Sequence, residues 1–138
     1  MNTSLSIESE EILAAFIDKV DGLHDALLHE LVLLHPGYVN HDGLMFGDAE
    51  LPNARLIFQS QFPDILAVRL DLIRVSRCRI EPKREFHLEG EIKDGEIILY
   101  LSGKHASTYS EIRAAEVKYT MLGREFLGSE YKLIGGAL

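Results

Sequence analysis

The sequence predicts a mainly β, α+β fold: an N-terminal helix followed by an antiparallel β-sandwich or partly open barrel. Three observations point there. Apolar residues between 12 and 20 recur at helical spacing. From residue 54 onward, apolar and polar residues alternate over runs of strand length. Between two such runs lies Asp94-Gly95, the dipeptide of a two-residue type I′ hairpin, which joins antiparallel strands.

The helix is expected over about 7–21. Ile12, Leu13, Phe16, Ile17 and Val20 form its apolar stripe. Ser6 or Ser9 can cap it, and Glu8, Glu10 and Glu11 sit where the helix dipole favours negative charge. Gly22 is a reasonable stop. The next segment, "ALLHELVLLH" (26–35), is ambiguous, because its Leu and Ala content suits a helix and a short apolar run has no decisive period. A strand over about 25–35, ended by the Pro36-Gly37 turn, is the reading that gives the later strands a partner.

In 54–60, Ala54, Leu56 and Phe58 alternate with Arg55, Ile57 and Gln59. In 67–77, Val68, Leu70 and Leu72 face one way, then Ile73 and Val75 change phase, which predicts a bulge near Leu72. Around Asp94-Gly95, strands 86–93 and 96–102 set Lys93 opposite Glu96 and Ile92 opposite Ile97. That register gathers Phe86, Leu88, Ile92, Ile97, Leu99 and Leu101 on one face. His87, Glu89 and Glu91 share the other with Ile98 and Tyr100, so that face is expected to be half exposed. In 111–122, Val117, Tyr119 and Met121 alternate, while Ile112 and Ala114 are out of phase, so a second bulge is expected near Ala115. Gly123 and Gly128 bracket a turn region, and 131–135 offers a short last strand.

The 138 residues suit a single domain, 1–138, without repeats or linkers. Lys and Arg number 14 against 22 Asp and Glu, a net charge of −8. That excludes the basic stripe of a nucleic-acid binder and opposes docking on an anionic membrane. It keeps a protein in solution and favours basic partners. One cysteine, Cys78, excludes an internal disulfide; the basic run "VSRCRIEPKRE" around it can lower a thiol pKa, while a lone Cys is otherwise a small buried hydrophobe. The N-terminal "MNTSLSIESEE" has no signal-peptide pattern and no apolar run approaches the ~20 residues that span a bilayer, so a cytoplasmic location is expected.

Four of the six histidines lie in "GLHDALLHELVLLHPGYVNHDG" (22–43). Their spacings do not suit a metal centre. On a strand His24 and His29 face opposite sides, and His29 and His35 stand roughly 20 Å apart. His24-Asp25 is more suggestive, since a carboxylate beside an imidazole fixes its tautomer. Strand neighbours point apart, so a dyad needs a backbone turn, which Gly22 makes plausible; the alternative is a backbone hydrogen bond at the junction. Lys104, His105 and Ser107 gather in "GKHAS". G-x-S-x-G, G-x-G-x-x-G and the P-loop pattern are absent, and "NHDG" (40–43) lacks the acids of a calcium loop. No catalytic residue, metal or cofactor is assigned.

"GLHDALLHELVLL" (22–34) resembles the opening motif of a loose group of small bacterial domains, in which an aromatic residue or Leu precedes His-Asp-Ala/Ser and an apolar run. "ARLIFQS" and "VRLDLIRVSRCRI" resemble the strands that follow in such domains. The likeness covers about half the chain, by pattern rather than strict motif, and departs at Leu23, where many members carry Phe. Some members are immunity proteins of polymorphic toxin systems and many are domains of unknown function. His24 and Asp25 are the residues that match the signature. The resemblance implies a non-enzymatic, acidic protein-binding module, an immunity-type inhibitor of a basic partner. Its surface would use Glu89, Glu91 and Asp94 with Tyr100 as aromatic anchor. The alternative is a small-ligand or metal-binding domain, or an enzyme, with a pocket lined by His24, Asp25, His29 and His41. Open edge strands add a third possibility, a homo-oligomer.

Overall fold

The computed structural model describes residues 3–24, 26–60, 67–81, 86–102 and 110–122. In chain order these form β1 (Ser4–Ser6), α1 (Glu10–Lys19), a 3-10 turn (Asp21–Leu23), β2 (Leu27–Leu34), β3 (Tyr38–Val39), β4 (Met45–Phe46), β5 (Asn53–Gln59), β6 (Ala67–Arg79), β7 (Glu89–Lys93), β8 (Glu96–Tyr100) and β9 (Glu111–Leu122). The fold is mainly β, with the helix near the N-terminus followed by an antiparallel sheet. The sheet runs β2-β5-β6-β9-β8-β7 and does not close into a barrel. β9 carries β8 along its first half and β1 along its second, on the same edge. β3 and β4 make a separate two-stranded sheet. The turn at 123–128, the strand at 131–135 and "GKHAS" lie outside the described residues.

The helix forms where the stripe predicts it, three residues later. Ser9 is extended and its hydroxyl accepts the Ile12 N–H at 3.1 Å, with Glu10 and Glu11 in the first turn. Residues 4–6, placed before the helix, pair with β9 as β1. Leu13 and Phe16 are buried; Phe16 rests on Tyr119 with ring centroids 4.4 Å apart. Two contacts tie the helix to β7. Glu10 accepts the Ile92 N–H at 2.9 Å, and Gly90 leaves room for Leu13, whose Cδ2 would lie 3.1 Å from a Cβ there. Under the helix, Leu56, Phe58, Leu70, Leu72, Leu99 and Val117 make one apolar cluster.

The ambiguous segment is a strand. β2 pairs antiparallel with β5 from Leu27↔Gln59 to Leu34↔Asn53, with an irregularity at His29. The bulges expected near Leu72 and Ala115 are not register breaks: the pairing runs in step from Leu72↔Val117 to Val75↔Ala114, and the two changes of phase are one feature. Leu72 pairs with Val117 and Val75 with Ala114, and all four are buried in the same cluster, so both strands change phase across the same two residue pairs. Arg74 takes a left-handed φ of 53° there; its N–H donates to Asn53 Oδ1 at 3.0 Å and the Val75 N–H to Pro52 O at 2.8 Å. The register slips by one residue just beyond, between Val75 and Arg77.

The β7–β8 hairpin has the predicted register, Lys93↔Glu96 and Ile92↔Ile97, with Asp94 and Gly95 both left-handed (φ 53° and 78°). The outer face is half exposed along β7, as expected, with His87 exposed and Glu89 and Glu91 half-buried, but on β8 it is closed: Ile98 and Tyr100 are buried, at 2% and 6% exposure. Glu111 on that face is fully buried, held by Arg77 Nε at 2.9 Å and Arg113 Nη2 at 3.0 Å.

Because α1 is attached chiefly through Phe16 and Leu13, Phe16→Ala should cost about 3–5 kcal/mol, the usual range for a buried aromatic. Urea unfolding followed by circular dichroism measures this, and a loss below about 1 kcal/mol would mean that the helix is not the sheet's cover.

Candidate interaction surface

Among the described residues the path β2-β5-β6-β9-β8-β7 ends on β2 and β7, which differ in kind, while the three-residue β1 beside β9 adds a short third edge. β7 is "EGEIK", five residues with charge at three positions. Such an edge discourages strand addition. β2 is "LLHELVLL", eight residues, about 26 Å long, with six Leu or Val, one acid and neither Lys nor Pro. Antiparallel partners share a face, so the register assigns its side chains. Leu31 and Leu33, opposite Leu56 and Ala54, lie on the helix side of the sheet; Val32 and Leu34, opposite Arg55 and Asn53, lie on the other. Leu27, Leu31, Leu33 and Leu34 are all exposed, Leu34 at 66%. The apolar surface therefore wraps both sides of this edge.

The chain leaves β2 into the β3–β4 hairpin, an arm of the same character. Tyr38 pairs with Phe46 and Val39 with Met45, and the two rings stack at 5.3 Å. Asn40 shapes the tip: its Oδ1 accepts the N–H groups of Asp42 and Leu44, both at 2.9 Å. At its base Gly37 and Gly47 meet so closely that a Cβ on Gly37 would lie 2.8 Å from Gly47 O. Tyr38, Val39, Leu44, Met45 and Phe46 are all exposed. A hairpin of two-residue strands is marginal in water unless something covers it.

Ten apolar residues between 27 and 51 are more than two-fifths exposed. Exposed apolar residues gathered in one stretch mark an interaction site, as singly scattered ones do not. Between Lys19 and Arg55 the sequence has no Lys or Arg. This stretch carries the strongest surface signal among the described residues, and it was legible as an apolar run without being recognisable as exposed.

The other candidates disperse. The backbone does turn ahead of His24, through left-handed Asp21, Gly22 and Leu23 (φ 51°, 60° and 57°), with Leu23 anchored in the core. His24 follows on the surface, and Asp25 lies outside the described residues. His29 is half-buried within β2; His41 is exposed on the arm, 3.5 Å from Asp42; His35 accepts the Gly37 N–H through Nδ1 at 2.9 Å. No group of three or more His, Cys, Asp or Glu side chains is placed to hold a metal ion among the described residues. The acidic set is engaged within the fold. Glu89 lies 3.2 Å from His87, Glu91 accepts the Tyr100 hydroxyl at 2.8 Å, and Asp94 builds the hairpin turn. Tyr100 is corrected from exposed anchor to buried packing residue: its ring lies inside and only its hydroxyl reaches an acid. Among the described residues no helix is long and apolar enough to cross a membrane.

The basic neighbours of Cys78 do not activate it. Arg77 and Arg79 are paired with Glu111 and Glu81; Cys78 is exposed rather than a buried hydrophobe, and the protein around it still desolvates the thiol enough to push its pKa up rather than down. A raised pKa keeps the thiol protonated at neutral pH. Native protein should therefore alkylate with iodoacetamide more slowly than unfolded protein near pH 8, the gap closing only above the ordinary thiol range. The same sign makes this group's contribution to stability full below the unfolded pKa and lost as pH rises through the folded one, a loss that Cys78→Ser should remove. Native labelling as fast as unfolded labelling would contradict it.

Comparisons with protein-family models, with curated proteins and with solved structures find no match.

Proposed function

We propose that this protein acts by binding another polypeptide, and that β2 and the β3–β4 arm are its contact surface. The observation that carries this is the β2 edge: eight residues, with apolar side chains on both faces and Glu30 its one acid, against three charged positions among the five of β7. Strand addition to such an edge takes its affinity from main-chain hydrogen bonds and its selectivity from side chains on either face. The arm supplies what a binding centre uses, a stacked Tyr and Phe with Met and Leu around them.

The immunity-type role implied by the resemblance is one form of this activity. The segment that carries the likeness, 22–34, is the turn plus the whole of β2, so the motif and the proposed surface are one stretch of chain. An inhibitor of a basic partner would also draw on the net charge of −8 and on the absence of Lys and Arg from 20 to 54.

Photo-crosslinking tests the reading without knowledge of the partner. Benzoylphenylalanine in place of Leu33 or Phe46 should give adducts to a polypeptide in cells of the source organism, whereas the same group in place of Glu11, exposed on the helix, should not. Absence of adducts at both 33 and 46 would reject the surface.

A further inference from the structure

We infer that the face of the sheet away from the helix carries a site for a small phosphate ester, in which Arg55, Arg69 and Lys118 take the phosphate group and Val32, Leu34 and Ile73 flank its apolar part. This goes beyond the protein-binding reading, which concerns the β2 edge and the arm.

The register assembles the cations. Arg55 pairs with Asp71 and Asp71 with Lys118, so the three stand side by side on β5, β6 and β9, about 4.8 Å from strand to strand. Arg69 lies two positions along β6, on the same face. The set has three cations and one acid, an excess of two positive charges within a chain of net charge −8. The acids at its rim have other partners: Glu116 lies 3.9 Å from Arg74, and Glu30 is engaged with another residue.

The hydrogen bonds leave room for a second acid. Arg55 Nε donates to Asp71 Oδ1 at 3.1 Å, and Arg69 Nε donates to Asp71 Oδ2 at 3.0 Å. Neutralising Asp71 needs only one arginine, and the strong form of that pair is bidentate. Here each guanidinium uses its Nε alone, and neither makes another hydrogen bond among the described residues. Asp71, half-buried, thus holds two guanidiniums by one end and leaves their Nη groups for a further oxyanion. Lys118 is exposed and has neither ion pair nor hydrogen bond among the described residues. Opposite Arg69 on β9, the Thr120 hydroxyl is buried without a partner among them. A phosphate dianion matches the charge excess, and its terminal oxygens match donors that come from three strands.

The cleft sets the size of the ligand. Arg55, Asp71 and Lys118 border a space of about 530 Å³ that is also lined by Val32, Leu34 and Ile73. Small-molecule sites span about 300–1,000 Å³ and combine a few fixed polar groups with apolar walls.

Proton–nitrogen NMR correlation spectra at low salt and about pH 7, where a phosphate ester is mostly doubly charged, test this with phenyl phosphate, inorganic phosphate and benzenesulfonate. Phenyl phosphate should move the Nε–H signals of Arg55 and Arg69 and the amide of Lys118. Affinity should fall about tenfold or more for the singly charged benzenesulfonate, and several-fold for inorganic phosphate, which lacks the apolar part. Arg69→Gln should weaken phenyl phosphate about tenfold. Arg69 is half-buried, so Lys118→Gln, at an exposed position, provides the second variant and should weaken it similarly with the unfolding midpoint of the chain retained. No movement at these three groups up to about 20 mM phenyl phosphate overturns the inference. Equal affinity for phenyl phosphate and either other probe does so too, as does binding indifferent to both variants.

Discussion

The pairing of β6 with β9 sets the rest of this fold. The strands have 13 and 12 residues and stay paired through a shared change of phase. On one side of that change Leu70, Leu72, Val117 and Tyr119 face the helix; on the other, Val75 and Ala114 do. A strand that reverses phase alone would turn its remaining apolar residues to the wrong face. Here both strands reverse across the same pairs, so one continuous apolar floor survives. The left-handed conformation at Arg74 is held from the neighbouring strand by Asn53 and Pro52, which lock β5 to the bend. Strain at a non-glycine residue persists where surrounding contacts over-determine it, and these two hydrogen bonds do so.

The position of the helix follows from that floor and leaves one side of the sheet open. α1 lies toward β7, β8 and β9, fixed by Tyr119 beneath Phe16, by Gly90 beneath Leu13 and by the Glu10 carboxylate on the Ile92 N–H. The opposite edge receives less. Leu28 still reaches the core, but Leu31 and Leu33 run out from under the cover although they lie on the helix side of the sheet. Exposure at β2 is therefore a property of the architecture: a ten-residue helix cannot roof six adjacent strands about 4.8 Å apart.

Much of this was legible in the sequence wherever a local rule and a tertiary demand agree. Asp94-Gly95 fixes a turn whose two left-handed residues suit a two-residue hairpin, and the register follows from counting outward. The phase changes at Leu72 and Ala115 were readable from alternation alone, although nothing in one strand's pattern says that the two lie opposite each other. The misses share a cause. Tyr100, Ile98 and Glu111 sit on strand positions that alternation assigns to an outer face, and whether that face is covered depends on the rest of the chain. Glu111 carries no sign of burial in its neighbours; its arginine partners come from β6 and from two residues along β9. Three residues at β1 and two each at β3 and β4 are too few for any period to show. The histidines drew attention by type, but a strand spreads residues along some 3.3 Å per position and alternates their faces, so density in sequence does not become convergence in space.

Charge and apolarity are also segregated along the chain, and this bears on what the exposed edge is for. An unprotected strand edge is ordinarily a hazard, and charge is the common defence. The chain applies that defence at three of the five positions of β7 and at one of the eight of β2, Glu30. It carries no lysine or arginine from 20 to 54. An apolar strip within an acidic body meets other acidic chains with long-range repulsion that relaxes within a Debye length, and the strip adds its own acids, Glu30, Asp42, Asp48 and Glu50. Under the proposed binding role, that arrangement favours a partner able to bring a matching edge close, and leaves the strand's own hydrogen-bonding groups and its leucines to decide which partner stays.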